Sequence, residues 1–254
     1  MKKGTAIVVA NWKMNPEDES RAKKIFLTTR TATLKARHTE VVVCPPFIYL
    51  SALKKISKGA SLGVQDLFWE ENGSFTGEIS PSMARSAGAH FAIVGHSERR
   101  ALGETDEMVS KKIKAALGNG LQVIVCIGEK ERDAHGKYLH VLSAQIHGSL
   151  GKIQKKHLAS VIIAYEPVWT IGKPNFQALS GPLIHETTLF IRKVLSDMYG
   201  HSEAMNFPIL YGGSVSPKNA KDIIVDGNVQ GLLVGRQSLE EGFKDIIMSV
   251  DQSV

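Results

Sequence analysis

The sequence predicts an α/β fold, a single (β/α)8 barrel, and three observations support this. Short β-branched runs recur along the chain and alternate with longer segments of helical pattern. The runs are apolar throughout, without the polar alternation of a half-exposed strand, as in a parallel sheet that helices cover on both faces. Eight strand and helix units within 254 residues fit a closed barrel better than an open doubly wound sheet. Because no Pro- or Ser-rich linker divides the chain, residues 1–254 are predicted to form one domain.

Eight strands are predicted in chain order. Each is a short run rich in Val, Ile and Leu, and β-branched residues fit a pleated, buried strand well. The runs are TAIVVAN, EVVVCPP, ASLGVQD, HFAIVGH, LQVIVCIG, SVIIAYEP, FPILYGG and VQGLLVG.

Helix start signals follow several of these strands. A side-chain oxygen can cap the free N–H groups of a first turn, proline suits the first helical position, and acidic residues favour the same turn. The signals are Asn15 with Pro16, Ser80 with Pro81, Thr105 with Asp106 and Glu107, Ser216 with Pro217, and Ser238 with Glu241 three residues later.

Composition and charge argue against several classes of partner. The formal net charge is +6, but the basic residues are spread among acidic ones, so the sequence favours attraction of small anionic substrates over nucleic-acid binding. The first apolar run has about five residues, too few for a signal-peptide core or a membrane span. Cys44 and Cys126 lie in or at the end of apolar runs and are predicted to be buried free thiols. We therefore expect a cytoplasmic protein without a nucleic-acid or membrane partner.

Polar or glycine residues follow nearly every predicted strand at its C-terminal end. In a (β/α)8 barrel that end carries the active site. The residues are Asn11, Lys13, Gln65, His96, Glu129, Glu166, Gly212, Gly213, Ser214 and Gly235.

Alternation along the strands predicts which of these side chains converge. Residues two apart in a regular strand share a face. The sets are Ile7, Val9, Asn11 and Lys13; Ala92, Val94 and His96; and Ile162, Ala164 and Glu166. One lysine, one histidine and one glutamate are therefore expected at one mouth of the barrel.

Lys13, His96 and Glu166 together favour proton transfer next to a carbonyl. A base removes a C–H proton there, while a cation and a hydrogen-bond donor stabilise the negative oxygen that forms. The sequence has no GxSxG motif and no metal-ligand spacing, so neither metal nor cofactor is expected. His96 precedes a predicted short helix, whose N-terminus disfavours an imidazolium. A neutral imidazole is therefore expected.

Two glycine turns predict a phosphate site. YGGSVSP and LLVGRQSLEE each run from a strand through glycine to a predicted helix start, so their N–H groups can face an anion. They follow the seventh and eighth strands, whose loops often bind phosphate in barrel enzymes.

Six motif blocks resemble the triosephosphate isomerase family, in order and over almost the whole chain. They are ANWKMN, GVQD with ENGSFTGE, IVGHSERR, VIVCIGE, AYEPVW, and YGGSV with LVG and SL. The resemblance implies a TIM barrel, and an isomerase of glycolysis and gluconeogenesis that interconverts dihydroxyacetone phosphate and D-glyceraldehyde 3-phosphate through an enediol(ate).

The resemblance also implies the role of each site residue. Glu166 is the base, His96 the neutral acid, and Lys13 a fixed positive charge. In this family the glutamate and the histidine are a well-known pair in which the protein environment adjusts the pKa of each group to its role. Substrate binding is assigned to Asn11, Lys13, Gly172, Ser214 and Gly235, with Glu98 as a supporting partner of Lys13. The segment beginning PVWTIG would close over the base.

Two positions depart from the family pattern. Pro174 stands in the loop tip where glycine is expected, and Arg236 replaces the second glycine of the usual VGGASL. Arg236 is either a surface charge or a direct phosphate ligand, and the second reading places it among the predicted binding residues.

The resemblance implies a homodimer through the third loop, WEENGSFTGE. Thr76 would enter the partner near Asn11 and Lys13, and Glu78 would meet the partner's Arg99. The alternative for this loop is an ordinary mobile hairpin.

Other functions remain open from the sequence. A non-catalytic or altered-specificity phosphosugar-binding barrel is the main alternative. An aldolase would need a Schiff-base lysine within a strand or a metal cluster, and the sequence indicates neither.

Overall fold

The computed structural model describes residues 5–171 and 179–254, and eight parallel strands close into a barrel in sequence order. The strands are β1 (Ala6–Asn11), β2 (Thr39–Cys44), β3 (Ser61–Val64), β4 (Phe91–Val94), β5 (Gln122–Ile127), β6 (Val161–Tyr165), β7 (Ile209–Tyr211) and β8 (Gly231–Val234). Each lies in or overlaps its predicted run, and β1 pairs with β8 to close the sheet. The predicted (β/α)8 barrel is confirmed.

Helices connect the strands and surround the barrel. They are α1 (Glu19–Thr33), α2 (Phe47–Lys54), α3 (Pro81–Ala87), α4 (Ser97–Ala101), α5 (Asp106–Gly118), α6 (Lys137–Leu150), α7 (Gly181–Tyr199), α8 (His201–Asn206), α9 (Ala220–Val225) and α10 (Phe243–Asp251). Short 3-10 turns occur at Lys155–Ser160, Val168–Thr170 and Arg236–Leu239. Across the described residues, no helix combines the length and apolar character needed to cross a membrane.

Two of the predicted helix starts are confirmed. The Ser80 hydroxyl accepts the N–H of Met83 at the start of α3, with Pro81 as the first helical residue. The Thr105 hydroxyl accepts the N–H of Met108 at the start of α5. Both side chains satisfy N–H groups that the first turn leaves without a partner.

Three predicted helix starts are wrong by a few residues. Helix α1 begins at Glu19 because Asp18 provides the cap, accepting the Arg21 N–H at 2.8 Å, so Asn15 with Pro16 only precedes it. Ser216 donates its N–H to Asn219 Oδ1, which makes a turn ahead of α9. Ser238 lies in a 3-10 turn, and α10 follows later.

The core has two layers. The inner layer fills the barrel with one residue set from alternating strand positions: Ile7, Val9, Val42, Cys44, Phe91, Ile93, Ile124, Cys126, Ile162, Ala164, Leu210 and Leu233. The outer layer packs the opposite strand faces against the helices. Cys44 and Cys126 are buried free thiols as predicted, and burial raises the pKa of each.

Candidate active site

A cavity of about 180 Å³ opens at the C-terminal ends of the strands. It brings together every described residue that the sequence predicts for catalysis or substrate binding. These are Asn11, Lys13, His96, Glu166, Ser214, Gly235 and Arg236. Gly172 and Pro174 lie outside the described residues.

Lys13 has an unusual backbone conformation that its neighbours support. Its φ is +54°, in the left-handed region that costs a non-glycine residue about 1–3 kcal/mol. Asn11 Oδ1 accepts the Lys13 N–H at 3.1 Å. Gln65 Nε2 donates to the carbonyls of Lys13 and Cys44, at 2.8 and 3.0 Å. Regular alternation therefore stops at Asn11, where β1 ends, and hydrogen bonds hold Lys13 at the cavity instead.

Glu98 contacts the Lys13 ammonium. Lys13 Nζ donates to Glu98 Oε1 at 2.6 Å, and Glu98 lies in the first turn of α4. The Glu98 side chain is 58% exposed, so solvent screens the pair and its contribution to stability is small. The contact with Glu98 instead orients the Lys13 ammonium at the cavity.

His96 reaches the cavity by a route that the sequence analysis did not foresee. Phe91 and Ile93 fill the barrel interior, so Ala92 and Val94 face the helices. The prediction that His96 shares a face with Ala92 and Val94 to reach the mouth is therefore wrong. Gly95 has φ +72°, which breaks the strand alternation and redirects the chain into α4.

Hydrogen bonds select one tautomer of His96. Nδ1 accepts the Glu98 N–H at 3.2 Å, as the cap of α4, so a single ring proton belongs on Nε2. Nε2 lies 3.1 Å from Glu166 Oε1 and donates to it. The neutral ring thus presents a donor towards the cavity.

The pKa of His96 is set by opposing effects. Burial lowers it, while the Glu166 carboxylate raises it, and the net direction is upward. The upward direction comes from the Glu166 carboxylate, whereas the N-terminus of α4 acts the other way, because its Glu98 N–H occupies Nδ1 and leaves the ring neutral. The neutral ring is favoured once that carboxylate moves away.

Glu166 follows β6 on the face of Ile162 and Ala164, as predicted. Its side chain is 2% exposed, and Oε2 accepts the N–H of Ser97 at 3.0 Å. We call this position of the carboxylate the retracted position. Glycine at residue 128 allows the backbone after β5 to lie against the backbone of Glu166, because a Cβ at Gly128 would lie 1.7 Å from the Glu166 carbonyl oxygen.

The glycine turns after β7 and β8 form the other side of the cavity. Ser214 Oγ donates to the Thr170 carbonyl at 2.7 Å, which joins this turn to the segment after β6. A Cβ at Gly213 would lie 2.3 Å from the Tyr211 hydroxyl oxygen, so glycine is needed there. Arg236 begins a 3-10 turn directly after Gly235, and its side chain is exposed at the cavity edge.

Glu129 anchors the segment that follows Glu166. It is buried, and its Oε1 accepts the Tyr165 hydroxyl at 2.9 Å and Trp169 Nε1 at 3.0 Å. Burial, and then the Glu129 carboxylate, raise the pKa of Tyr165. The Val168 N–H also donates to the Glu129 carbonyl. Sequence reasoning marked Glu129 and Gln65 by position but gave neither a role, and it missed the Ser97 N–H, because backbone donors leave no residue signature.

The cavity matches proton transfer by side chains. Among residues 5–171 and 179–254, no group of three or more His, Cys, Asp or Glu side chains is arranged to hold a metal ion. The described part of the cavity offers the Glu166 carboxylate, the His96 imidazole and the Lys13 ammonium, with the Arg236 guanidinium at its edge.

Residues 6–250 match the sequence model of the family described as triosephosphate isomerase. The chain belongs to the triosephosphate isomerase family. It is 41% identical over 252 residues to the triosephosphate isomerase of Moorella thermoacetica, covering 97% of this chain and 98% of that protein. The triosephosphate isomerase of Thermoanaerobacter sp. (strain X514) is 39% identical over 237 residues, covering 92% and 94%. The fungal triosephosphate isomerase of Coprinopsis cinerea is 41% identical over 244 residues, covering 94% and 96%.

The resemblance drawn from the six motif blocks is thereby confirmed. As a member of the triosephosphate isomerase family, the chain is an isomerase.

Proposed function

We infer that this enzyme interconverts dihydroxyacetone phosphate and D-glyceraldehyde 3-phosphate, the triose step of glycolysis and gluconeogenesis. The observation that carries the inference is the match of residues 6–250 to the triosephosphate isomerase family, and the named relatives bear the same activity. The cavity contains a carboxylate, an imidazole and an ammonium, which we propose as the base, the donor and the cation of this reaction.

Glu166 is proposed as the base. Its carboxylate takes the proton from the carbon beside the carbonyl, the C–H electron pair becomes the C=C bond, and the carbonyl electrons move onto oxygen. Returning the proton to the neighbouring carbon completes the exchange. Glu166 must leave the Ser97 N–H to do this, so the retracted position is the resting one.

His96 and Lys13 are proposed to stabilise the oxygens. The Nε2–H of neutral His96 donates to the carbonyl oxygen and moves a proton between the two enediol oxygens, while the Glu98 N–H keeps Nδ1 unprotonated. The Lys13 ammonium supplies positive charge that is already in place, which needs no reorganisation during the reaction. Asn11 supports Lys13 and is proposed to contact a substrate oxygen.

The phosphate is proposed to bind at Ser214, Gly235 and Arg236, with Gly172 completing the site from outside the described residues. The glycine turns can offer backbone N–H groups, and the Arg236 guanidinium can add a charged donor.

We also propose a homodimer through the loop that contains Thr76. Large apolar side chains are exposed near this loop and the neighbouring strand ends: Met14 at 94%, Ile48 at 76%, Met83 at 52% and Phe75 at 44%. A second copy would cover them, with Glu78 meeting the partner's Arg99. A sedimentation experiment at micromolar concentration should give a dimer, and a fully active monomer would contradict this.

A coupled assay with dihydroxyacetone phosphate, in both directions, tests the activity itself. The main alternative, a barrel that binds phosphosugars without turnover, would bind the substrate and release no product. Location in the cytoplasm is proposed from the glycolytic role and is tested by cell fractionation.

A further inference from the structure

Helix α4 supplies three contacts at the active site although it has only five residues. The Ser97 N–H donates to the Glu166 carboxylate at 3.0 Å. The Glu98 N–H donates to His96 Nδ1, and the Glu98 carboxylate accepts the Lys13 ammonium. The residues of α4 are half-buried or exposed, and an isolated helix of this length is unstable in water. Side chains that anchor α4 to its surroundings must therefore fix its orientation.

The Arg100 side chain anchors α4 to the backbone that precedes His96. Its Nε donates to the Gly95 carbonyl at 2.8 Å, and its Nη2 lies 3.4 Å from the Cys126 carbonyl oxygen in β5. Glycine at residue 95 leaves room for the guanidinium, because a Cβ there would lie 3.1 Å from Arg100 Nη2. The φ of Gly95, +72°, sets the direction in which His96 leaves the strand. A charged donor on the Gly95 carbonyl therefore holds the peptide on which the position of His96 depends.

Asp106 holds the other edge of the Arg100 guanidinium. Arg100 Nη1 donates to Asp106 Oδ1 at 2.5 Å, and Asp106 lies in the first turn of α5. The Ser149 hydroxyl in α6 donates to the same oxygen at 3.3 Å. Because a guanidinium is planar and its donors have fixed directions, a carboxylate on one edge determines where Nε points. Asp106 thus aims Arg100 at the Gly95 carbonyl.

Arg99 is the second arginine of α4 that meets a carboxylate. Its Nε lies 2.9 Å from Asp66 Oδ2, but its side chain is 43% exposed, whereas the Arg100 side chain is 14% exposed. Solvent therefore screens the Arg99 pair more strongly than the Arg100 pair. We assign the orientation of α4 chiefly to Arg100.

We propose that Arg100, oriented by Asp106, is a positioning residue for His96. Its hydrogen bond to the Gly95 carbonyl fixes α4 and the imidazole, so that the Nε2–H of His96 is aimed at the carbonyl oxygen of the substrate. Arg100 is not among the described residues that line the substrate cavity, and it acts through His96. The proposal rests on the role of His96 as the donor in the proposed isomerase reaction.

Steady-state kinetics of Arg100→Met test the effect on turnover. The substitution keeps an unbranched apolar side chain and removes the hydrogen bonds of the guanidinium. Because a displacement of about 1 Å can cost about 100-fold, kcat should fall about 10- to 100-fold while KM stays within about threefold of wild type. A kcat within about twofold of wild type would overturn the proposal.

Arg192→Met is the matched control for a loss of stability alone. Arg192, in α7, also donates to backbone carbonyls, those of Ala204 and Phe207. It donates as well to Gln230, which precedes β8 and so lies at the end of the barrel opposite the active site. Arg192→Met should lower the free energy of unfolding and keep kcat within about twofold of wild type. An equal loss of kcat in Arg192→Met and Arg100→Met would overturn the proposal.

Infrared spectroscopy of bound dihydroxyacetone phosphate tests whether Arg100 acts through His96. A donor aimed at the carbonyl oxygen weakens the C=O bond, so the carbonyl band should lie at a lower frequency in the wild-type enzyme than in water. In Arg100→Met the band should move back towards its frequency in water, and in Arg192→Met it should stay at the wild-type position. An Arg100→Met enzyme with a lowered kcat and a wild-type carbonyl band would overturn the proposal.

Asp106→Asn is a second variant, which keeps the size of the side chain and removes its charge. It should lower kcat at least about threefold and shift the carbonyl band in the same direction as Arg100→Met. The double variant Arg100→Met/Asp106→Asn should have the kcat of Arg100→Met, because both residues act through one guanidinium. Losses that multiply would overturn the assignment to the guanidinium. If Arg100→Met does not fold, a wild-type kcat and carbonyl band in Asp106→Asn would overturn the proposal.

The wild-type enzyme separates this proposal from the proposed function. Wild-type enzyme that does not turn over dihydroxyacetone phosphate would contradict the proposed function and the positioning role with it. Active wild type together with a fully active Arg100→Met would contradict the positioning role alone.

Discussion

Gln65 is predicted to position the Lys13 ammonium through the Lys13 backbone. Its Nε2 donates to the Lys13 and Cys44 carbonyls, which ties the left-handed conformation of Lys13 to β2. Gln65→Leu keeps a side chain of similar size and removes both hydrogen bonds.

The structure sets the size of the effect. Two lost hydrogen bonds at about 0.5–1.5 kcal/mol each imply that the free energy of unfolding falls by about 1–3 kcal/mol. The strain at Lys13 is of similar size, so without Gln65 the backbone can relax and move Nζ. Since a misplacement of about 1 Å can cost about 100-fold, kcat/KM should fall by about 10- to 100-fold.

Steady-state kinetics and urea unfolding together test this prediction. Gln252→Leu is the matched control, because Gln252 is exposed at the end of α10 and should change neither quantity. If Gln65→Leu lost stability but kept kcat/KM within about twofold, the positioning role would be refuted and Gln65 would only stabilise the fold.

Three further predictions concern other parts of the chain. Glu166→Asp shortens the side chain by one methylene and should lower kcat about 100-fold with little change in KM, as measured by steady-state kinetics. A variant with mainly a raised KM would indicate that Glu166 binds the substrate and does not act as the base. Arg236→Gly should weaken inhibition by phosphate-bearing substrate analogues about tenfold or more, because a charge-assisted hydrogen bond is worth about 1.5–3 kcal/mol. It should also increase the amount of methylglyoxal formed per turnover. If neither quantity changed, Arg236 would be only a surface charge without a contact to the phosphate. Burial raises the pKa of Asp251, but the N–H groups of Arg37 and His38 lower it more, so its net direction is downward. A carboxyl whose pKa is lowered on folding stabilises the folded state above the ordinary pKa of aspartate, and this stabilisation is lost as the pH falls through its pKa in the folded protein. Asp251→Asn should therefore lower the free energy of unfolding, measured in urea, by about 1 kcal/mol at neutral pH and by less near pH 3. An equal loss at the two pH values would contradict this.

The barrel was predictable because its signals are repetitive. Eight apolar runs that alternate with helical segments identify the strands, and the closed order β1 to β8 follows from helices between parallel neighbours. Helix starts were predictable where one side chain next to the first turn accepts its free N–H group, as at Ser80 and Thr105. The predicted helix start at Ser216 was wrong, because a turn comes before the helix there.

The candidate site was predictable in its side chains but not in the geometry that presents them. Glu166 obeys strand alternation, whereas His96 depends on the left-handed Gly95, and Lys13 on its own left-handed backbone. Alternation holds only while φ and ψ stay extended, so a single positive φ reverses the predicted face. The contacts of Gln65 and Glu129 join segments distant in sequence and have no local signal.

The identity of the base is tested most directly by turnover of Glu166→Gln, measured with dihydroxyacetone phosphate in a coupled assay. The substitution keeps the size of the side chain and one oxygen that can accept the Ser97 N–H, but it removes the group that takes the substrate proton. A folded Glu166→Gln enzyme that binds a phosphate-bearing analogue yet has turnover at least about 1,000-fold below wild type is the predicted result. Retention of more than about 5% of wild-type kcat would show that another group removes the proton and would contradict the account.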